Sequence, residues 1–196
     1  HEVGNHAIDG AAVPFNHDAG LAGGDELRIV PLPLQSAGDF DRDVGEITWA
    51  KDGSGVYFTA EDRGTRNVHF ATTAGLVRNI TSGAHMLSLG GVSTLGMAVL
   101  VRSAAHSPPD IYRTDLNRAR DLTQLTRVNE DLLARIKLGQ VEEIWYRSSS
   151  NTPVQGWVVK PPNFDPRKKY PLIMEIHGGP HGMYNGAFNF MFQNFA

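Results

Sequence analysis

Six consecutive residues, His177-Gly178-Gly179-Pro180-His181-Gly182, set two imidazoles on a glycine-rich backbone directly behind an apolar run, Leu172-Ile173-Met174-Glu175-Ile176. Glycine has no Cβ, so its main chain can approach a ligand closely and take positive φ. Backbone N–H groups aimed at one point stabilise the negative oxygen of a tetrahedral intermediate, so a His-Gly-Gly loop behind a strand is a candidate part of an oxyanion hole. The same Gly-Gly-Pro serves equally as an ordinary loop. Two histidines four apart also match the spacing of a zinc-binding helix. Gly178-Gly179-Pro180 breaks such a helix, however, and no glutamate lies between the histidines, so no metal is expected. Cysteine is absent, which removes a thiolate nucleophile, a thiolate metal site and a disulfide framework. No Gly-x-Ser-x-Gly occurs: Ser54 and Ser82 each have a neighbouring glycine, but both fall in turns between strands. A loop that could receive an oxyanion is therefore present without a serine elbow to generate one, and no cofactor is expected.

The elements that must position this loop follow from residue periodicity. Residues 1 to about 38 are rich in Gly, Ala and Pro, with one strand-like stretch at Leu27-Arg28-Ile29-Val30. From Asp39 short strands alternate with turns: Ile47-Thr48-Trp49, then the turn Lys51-Asp52-Gly53-Ser54-Gly55, then Val56-Tyr57-Phe58-Thr59. Asn67-Val68-His69-Phe70 and residues 76–80 complete a set of four. The layout recurs at residues 87–92, 97–101, 111–113 and 122–125, a period of about 42–45 residues, the length of one four-stranded propeller blade. Two such units and part of a third cannot close a ring, so further blades are expected upstream. The alternative is an open antiparallel sheet.

The pattern changes after Thr126. Residues 129–138 read as a short helix or an extended crossover. Residues 141–147 and 154–160 read as a strand pair across a polar turn, ended by Pro161-Pro162 because proline has no amide hydrogen for the ladder. Residues 172–176 read as a third strand of this second unit, covered on both faces. Without parallel neighbours, that strand would expose apolar surface and unpaired backbone. Beyond the loop, Tyr184, Phe188, Met191, Phe192 and Phe195 fall at helical spacing and are expected to form one apolar helix face. The chain opens without a start methionine or signal-peptide pattern and stops within this helical pattern, so both ends are expected to be cuts.

Residues Gly156-Trp157-Val158-Val159-Lys160-Pro161-Pro162-Asn163-Phe164-Asp165-Pro166, then Lys169-Tyr170-Pro171-Leu172-Ile173 and the His177–Gly182 loop, resemble the opening of the catalytic domain in the prolyl oligopeptidase family, in its acylaminoacyl-peptidase and dipeptidyl-peptidase branch. Upstream, Phe40-Asp41-Arg42, Ile47-Thr48-Trp49 and Tyr57-Phe58-Thr59-Ala60-Glu61-Asp62-Arg63-Gly64 resemble the last propeller blades of that branch. The resemblance implies a multidomain fragment: C-terminal β-propeller blades over 1–133, followed over 134–196 by the first strands and first helix of an α/β-hydrolase domain. It implies a serine peptidase that cleaves short peptides through a Ser-Asp-His triad lying beyond Ala196. It implies Gly179 as an oxyanion-hole N–H donor, with His177 in the loop where other branches place a tyrosine hydroxyl. Some relatives bind a substrate amino group with propeller carboxylates, but Glu61-Asp62-Arg63 reads more simply as a solvated turn. One departure is Asn151-Thr152, where many relatives carry Asp-Gly in the hairpin turn.

Bulk properties narrow the alternatives. Lys+Arg 18 against Asp+Glu 21 gives a net charge of -3, which disfavours nucleic acid as a partner. No apolar run reaches the roughly 20 residues of a membrane span. Short peptides are the expected partners, and homo-oligomers are compatible with the sequence. A carboxylesterase-type α/β-hydrolase would share the loop but lack the upstream repeat, and a non-catalytic β-propeller binding module would lack the segment after Leu138.

Overall fold

The structure, a computed structural model, describes residues 40–118, 121–179 and 182–196. These lie in a compact unit that runs Leu32–Ala196. The strand-like stretch at residues 27–30 lies outside the described residues. Strands β1 (Val44–Trp49), β2 (Gly55–Asp62), β3 (Thr65–Thr72) and β4 (Val77–Asn79) form an antiparallel meander. A second meander follows, β5 (Met86–Val92), β6 (Met97–Ala104), β7 (Ser107–Asp115) and β8 (Thr123–Gln124). A single parallel pairing, Arg66 opposite Met86, joins the two. Helix α1 (Glu130–Leu133), the hairpin β9 (Gln140–Arg147) and β10 (Pro153–Lys160), and helix α2 (Phe190–Phe195) complete the order. Among the described residues neither sheet closes on itself.

Turn chemistry explains the hairpins. Asp62 pairs with Thr65 across a two-residue turn in which Arg63 and Gly64 have φ of 48° and 73°, the positive values that a type I′ turn requires. The departure at Asn151 leaves the β9–β10 hairpin whole over eight residue pairs. Asn151 takes φ 64°, which asparagine tolerates better than other side chains. Strand β7 starts at Ser107 and so includes Pro108 and Pro109, four residues earlier than the expected start. The β6–β7 register shifts between Arg102 and Ala104, so the prolines sit where the ladder is already interrupted.

One apolar cluster links the two meanders: Tyr57, Val68 and Phe70 from the first meet Leu87, Leu100 and Tyr112 from the second. Strand β2 turns Val56, Phe58 and Ala60 to its other face, against Phe40 and Val77, as the alternation of side chains along a strand requires. Glu46, at φ 48° in a bulge of β1, accepts from Leu89 N (2.7 Å) and Thr59 Oγ1 (3.2 Å), a polar tie between the meanders.

Beside this core lies a buried polar network. Arg102 Nε donates to His85 Nδ1 (3.4 Å), and arginine can only donate, so the neutral ring carries its proton on Nε2. Nε2 donates to Asn67 Oδ1 (3.0 Å), which also accepts from Thr81 Oγ1 (3.1 Å). Burial, then the Arg102 charge, holds His85 below its ordinary pKa of 6.5. The folded state thus takes up this proton less readily than the unfolded chain. Stability is constant above the unfolded value and falls as pH drops through it. His69, also lowered by burial, acts in the same direction. Urea unfolding should therefore show a falling midpoint below about pH 6.5. In His85→Gln this slope should be shallower by at most one proton, about 1.4 kcal/mol per pH unit; an unchanged slope would remove His85 from the account.

Candidate functional site

Strand β10 ends at Lys160, where Phe164 N donates to Pro161 O (3.1 Å) across a turn with Asn163 at φ 63°. Proline at the second and a positive-φ asparagine at the third position are what a type II turn needs. Phe164 stacks on Tyr170 with ring centroids 5.0 Å apart, and Tyr170 Oη accepts from Asp165 N (2.9 Å), which folds the connection back on itself.

The next segment departs from expectation. Residues 172–176 form no strand, and Leu172, Ile173, Met174 and Ile176 are 82%, 61%, 73% and 78% exposed. The reading of a strand covered on both faces is corrected here. Its apolar composition suits a central strand, but a ladder needs a neighbour, and among the described residues β9 and β10 pair only with each other.

The glycine loop follows. His177 Nδ1–H donates to Gly178 O (2.9 Å), and its ring meets the edge of Tyr184 at 5.7 Å. A Cβ at Gly182 would lie 3.1 Å from Gly178 O and 3.2 Å from His177 Nδ1, so the loop's return is close enough to favour glycine. Gly179 is exposed. Pro180 and His181 lie outside the described residues, and with them the alternative of a zinc pair with His177. Among the described residues no group of three or more His, Asp or Glu side chains is placed to hold a metal. Burial, then the nearby Glu175 carboxylate, raises the Tyr184 phenol above its ordinary pKa. Its hydroxyl donates to Glu175 Oε1 at 3.4 Å.

The expected helix face from Tyr184 to Phe195 is also corrected, because α2 begins only at Phe190. The preceding amides are committed elsewhere. Gly186 N donates to Gly64 O (2.8 Å), Ala187 N to Asn185 Oδ1 (3.0 Å) and Phe188 N to Ser103 Oγ (3.0 Å). Asn189 then caps the helix, its Oδ1 accepting from Phe192 N (3.1 Å). Gln193 fixes α2 to the start of β9 by bonding Gly139 through both amide atoms, at 2.7 and 3.2 Å. A groove of about 370 Å³ lies between these parts, lined among others by Trp157, Val159, Leu172, Tyr184 and Phe192.

Sequence reasoning used Gly64 and Trp157 only as parts of the resembling motifs and gave them no role at the loop, to whose flank the structure brings them. Trp157 Nε1 donates to Tyr184 O (3.1 Å), and its ring lies over Gly64. Residues distant in sequence leave no local pattern for such a contact. The carboxylates of Glu61 and Asp62 are occupied in ion pairs with Arg66 and Arg42, in keeping with a surface turn.

No family profile matches the chain. Over 174 residues, 88% of the chain, it is 31% identical to a dipeptidyl-peptidase 5 of Porphyromonas gingivalis. Over 149 residues, 76% of the chain, it is 28% identical to the uncharacterized peptidase YuxL of Bacillus subtilis. It spans only 24% and 22% of those two proteins. Among solved structures it is similar to the acylaminoacyl peptidase of Pyrococcus horikoshii, at 27% identity and a TM-score of 0.67, over 81% of this chain and 24% of that one. No helix among the described residues is long and apolar enough to cross a membrane.

The cap at Asn189 gives a direct test of why the helix starts late. Asn189→Ala should cost about 1 kcal/mol in denaturant unfolding, whereas Asn189→Asp should retain most of it. Faster amide exchange at Phe192 should accompany the loss. Equal stability of both variants would show that the cap contributes nothing.

Proposed function

Since the chain belongs to the prolyl oligopeptidase family of peptidases, we propose that the full-length protein is a serine peptidase hydrolysing short peptides. In this reading residues 1–133 are propeller blades and residues 134–196 open the α/β-hydrolase domain. The serine, aspartate and histidine of the triad lie outside this chain, which supplies part of the oxyanion hole. The observation that carries the reading is the shared likeness, over four-fifths or more of the chain, to a dipeptidyl-peptidase and an acylaminoacyl peptidase. The two repeated meanders, whose first strands start at Val44 and Met86, favour it over a carboxylesterase. The β9–β10 hairpin and the glycine loop favour it over a propeller that only binds.

Acyl transfer would proceed by attack of the serine oxygen on the peptide carbonyl, with the histidine taking its proton and returning it to the leaving amine. The carbonyl oxygen gains its full negative charge only in the tetrahedral intermediate. A donor at Gly179 N–H would therefore lower the barrier without tightening substrate binding. His177 is better suited to orienting the loop, because its Nδ1–H is engaged with Gly178 O.

Glycolic acid in place of Gly179 in the full-length enzyme replaces the amide N–H by an ester oxygen with little steric change. Turnover should fall roughly 100- to 1000-fold with KM little altered. His177→Ala should cost less. Full turnover in the ester variant, combined with its loss in His177→Ala, would assign the donor to the imidazole instead.

A further inference from the structure

The β2–β3 turn joins the first meander to the flank of the glycine loop. Gly64 uses both its backbone groups there: its carbonyl accepts from Gly186 N (2.8 Å) and its N–H points at Met183 Sδ (3.3 Å). Arg63 O accepts from Gln155 Nε2 of β10 (2.9 Å). A Cβ built on Gly64 would lie 2.4 Å from Trp157 Cζ2, so the indole occupies the space a side chain would need. Trp157 passes the contact on through its Nε1–H to Tyr184 O (3.1 Å), and the Tyr184 ring abuts His177 (5.7 Å). An unbroken set of contacts thus runs from a surface turn to the loop that bears Gly179.

We infer that the Arg63-Gly64 turn is a positioning latch for the glycine loop, acting through Gly186, Trp157 and Tyr184. Two features separate this from ordinary turn architecture. The β1–β2 turn also has a glycine at φ 73°, Gly53, yet a Cβ there would meet nothing within 4 Å. The same backbone strain would therefore arise at either glycine, but only at Gly64 would the added carbon push on Trp157. Moreover, the amide that Gly64 O engages belongs to a segment held out of α2, four residues before the helix starts at Phe190. Release of this bond frees the chain that leaves the loop, and leaves the register of β2 with β3 intact.

The catalytic side of this inference rests on the proposed role of the loop, and the test keeps the two apart. Gly64→Ala and Gly53→Ala are compared in the full-length protein. Turnover is measured on dipeptidyl and N-acyl-aminoacyl p-nitroanilides, and hydrogen exchange on peptides covering residues 183–189. Gly64→Ala should raise exchange there and lower kcat by about 10- to 100-fold with KM nearly constant, as misplacement of a reacting group does. Gly53→Ala should change neither. Unchanged exchange in Gly64→Ala, or a kcat loss no larger than that of Gly53→Ala, overturns the latch. Should Gly64→Ala fold poorly, Trp157→Phe offers a second route. It should raise exchange over residues 183–189 and lower kcat in the same sense. Unchanged exchange in Trp157→Phe would overturn the coupling. If the ester at Gly179 leaves turnover intact while Gly64→Ala still lowers it, the latch stands and only the donor assignment fails.

Discussion

Backbone N–H and C=O groups must find partners wherever water is excluded, and the way each segment meets that demand shapes this molecule. Between Val44 and Gln124 the strands do so almost wholly with the next strand along, through short turns at Gly53, Gly64 and Gly96. Each meander is thereby complete as a ladder. It still has an apolar face to cover, and the two cover each other through Val68, Phe70, Leu87 and Leu100. Val68, Leu87 and Leu100 are wholly buried, so truncation of one leucine to alanine would cost about 2–5 kcal/mol. Polar ties supplement this packing where backbone groups would otherwise be stranded: Glu46 receives Leu89 N, and Thr81 Oγ1 receives Val68 N at 2.9 Å.

The same demand accounts for what the sequence revealed and what it concealed. Turns and hairpins are local, so the Lys51-Asp52-Gly53-Ser54-Gly55 turn, the solvated turn at Glu61-Asp62-Arg63 and the Pro161-Pro162 stop could be read directly from residue types. The repeat was legible because each unit carries its own pattern of alternation. Residues 172–176 have the composition of a central strand, but composition cannot say whether a partner strand stands beside them. The helix near the end was read too long for a related reason. Apolar spacing registers a face, whereas the cap at Asn189 and the diverted amides of Gly186 and Phe188 decide where the helix begins. Strand β7 was read too short, at residues 111–113, because its start includes Pro108 and Pro109, which sit at a point where the ladder tolerates them.

For the candidate site, sequence sufficed to pick out the loop and not its surroundings. His177 and the glycines announce themselves by type. Trp157, Tyr184 and Gly64 acquire meaning only when the fold brings together residues more than ninety positions apart. This arrangement gives the segment after Leu138 a dependence on the preceding sheet. The loop's exit is tied to the β2–β3 turn, while α2 is tied through Gln193 to the start of β9. A change in either tie would shift the loop without a change in any of the loop's own residues.

These residues are proposed to belong to a serine peptidase whose nucleophile they do not contain. Active-site labelling tests it most directly. The full-length protein is treated with a fluorophosphonate, digested, and the modified residue located by mass spectrometry. Stoichiometric labelling of one serine within a Gly-x-Ser-x-Gly sequence outside residues 1–196 is expected, with no labelling of the 196-residue chain alone. Labelling of a serine within residues 1–196, or a full-length protein that remains unmodified, would contradict it.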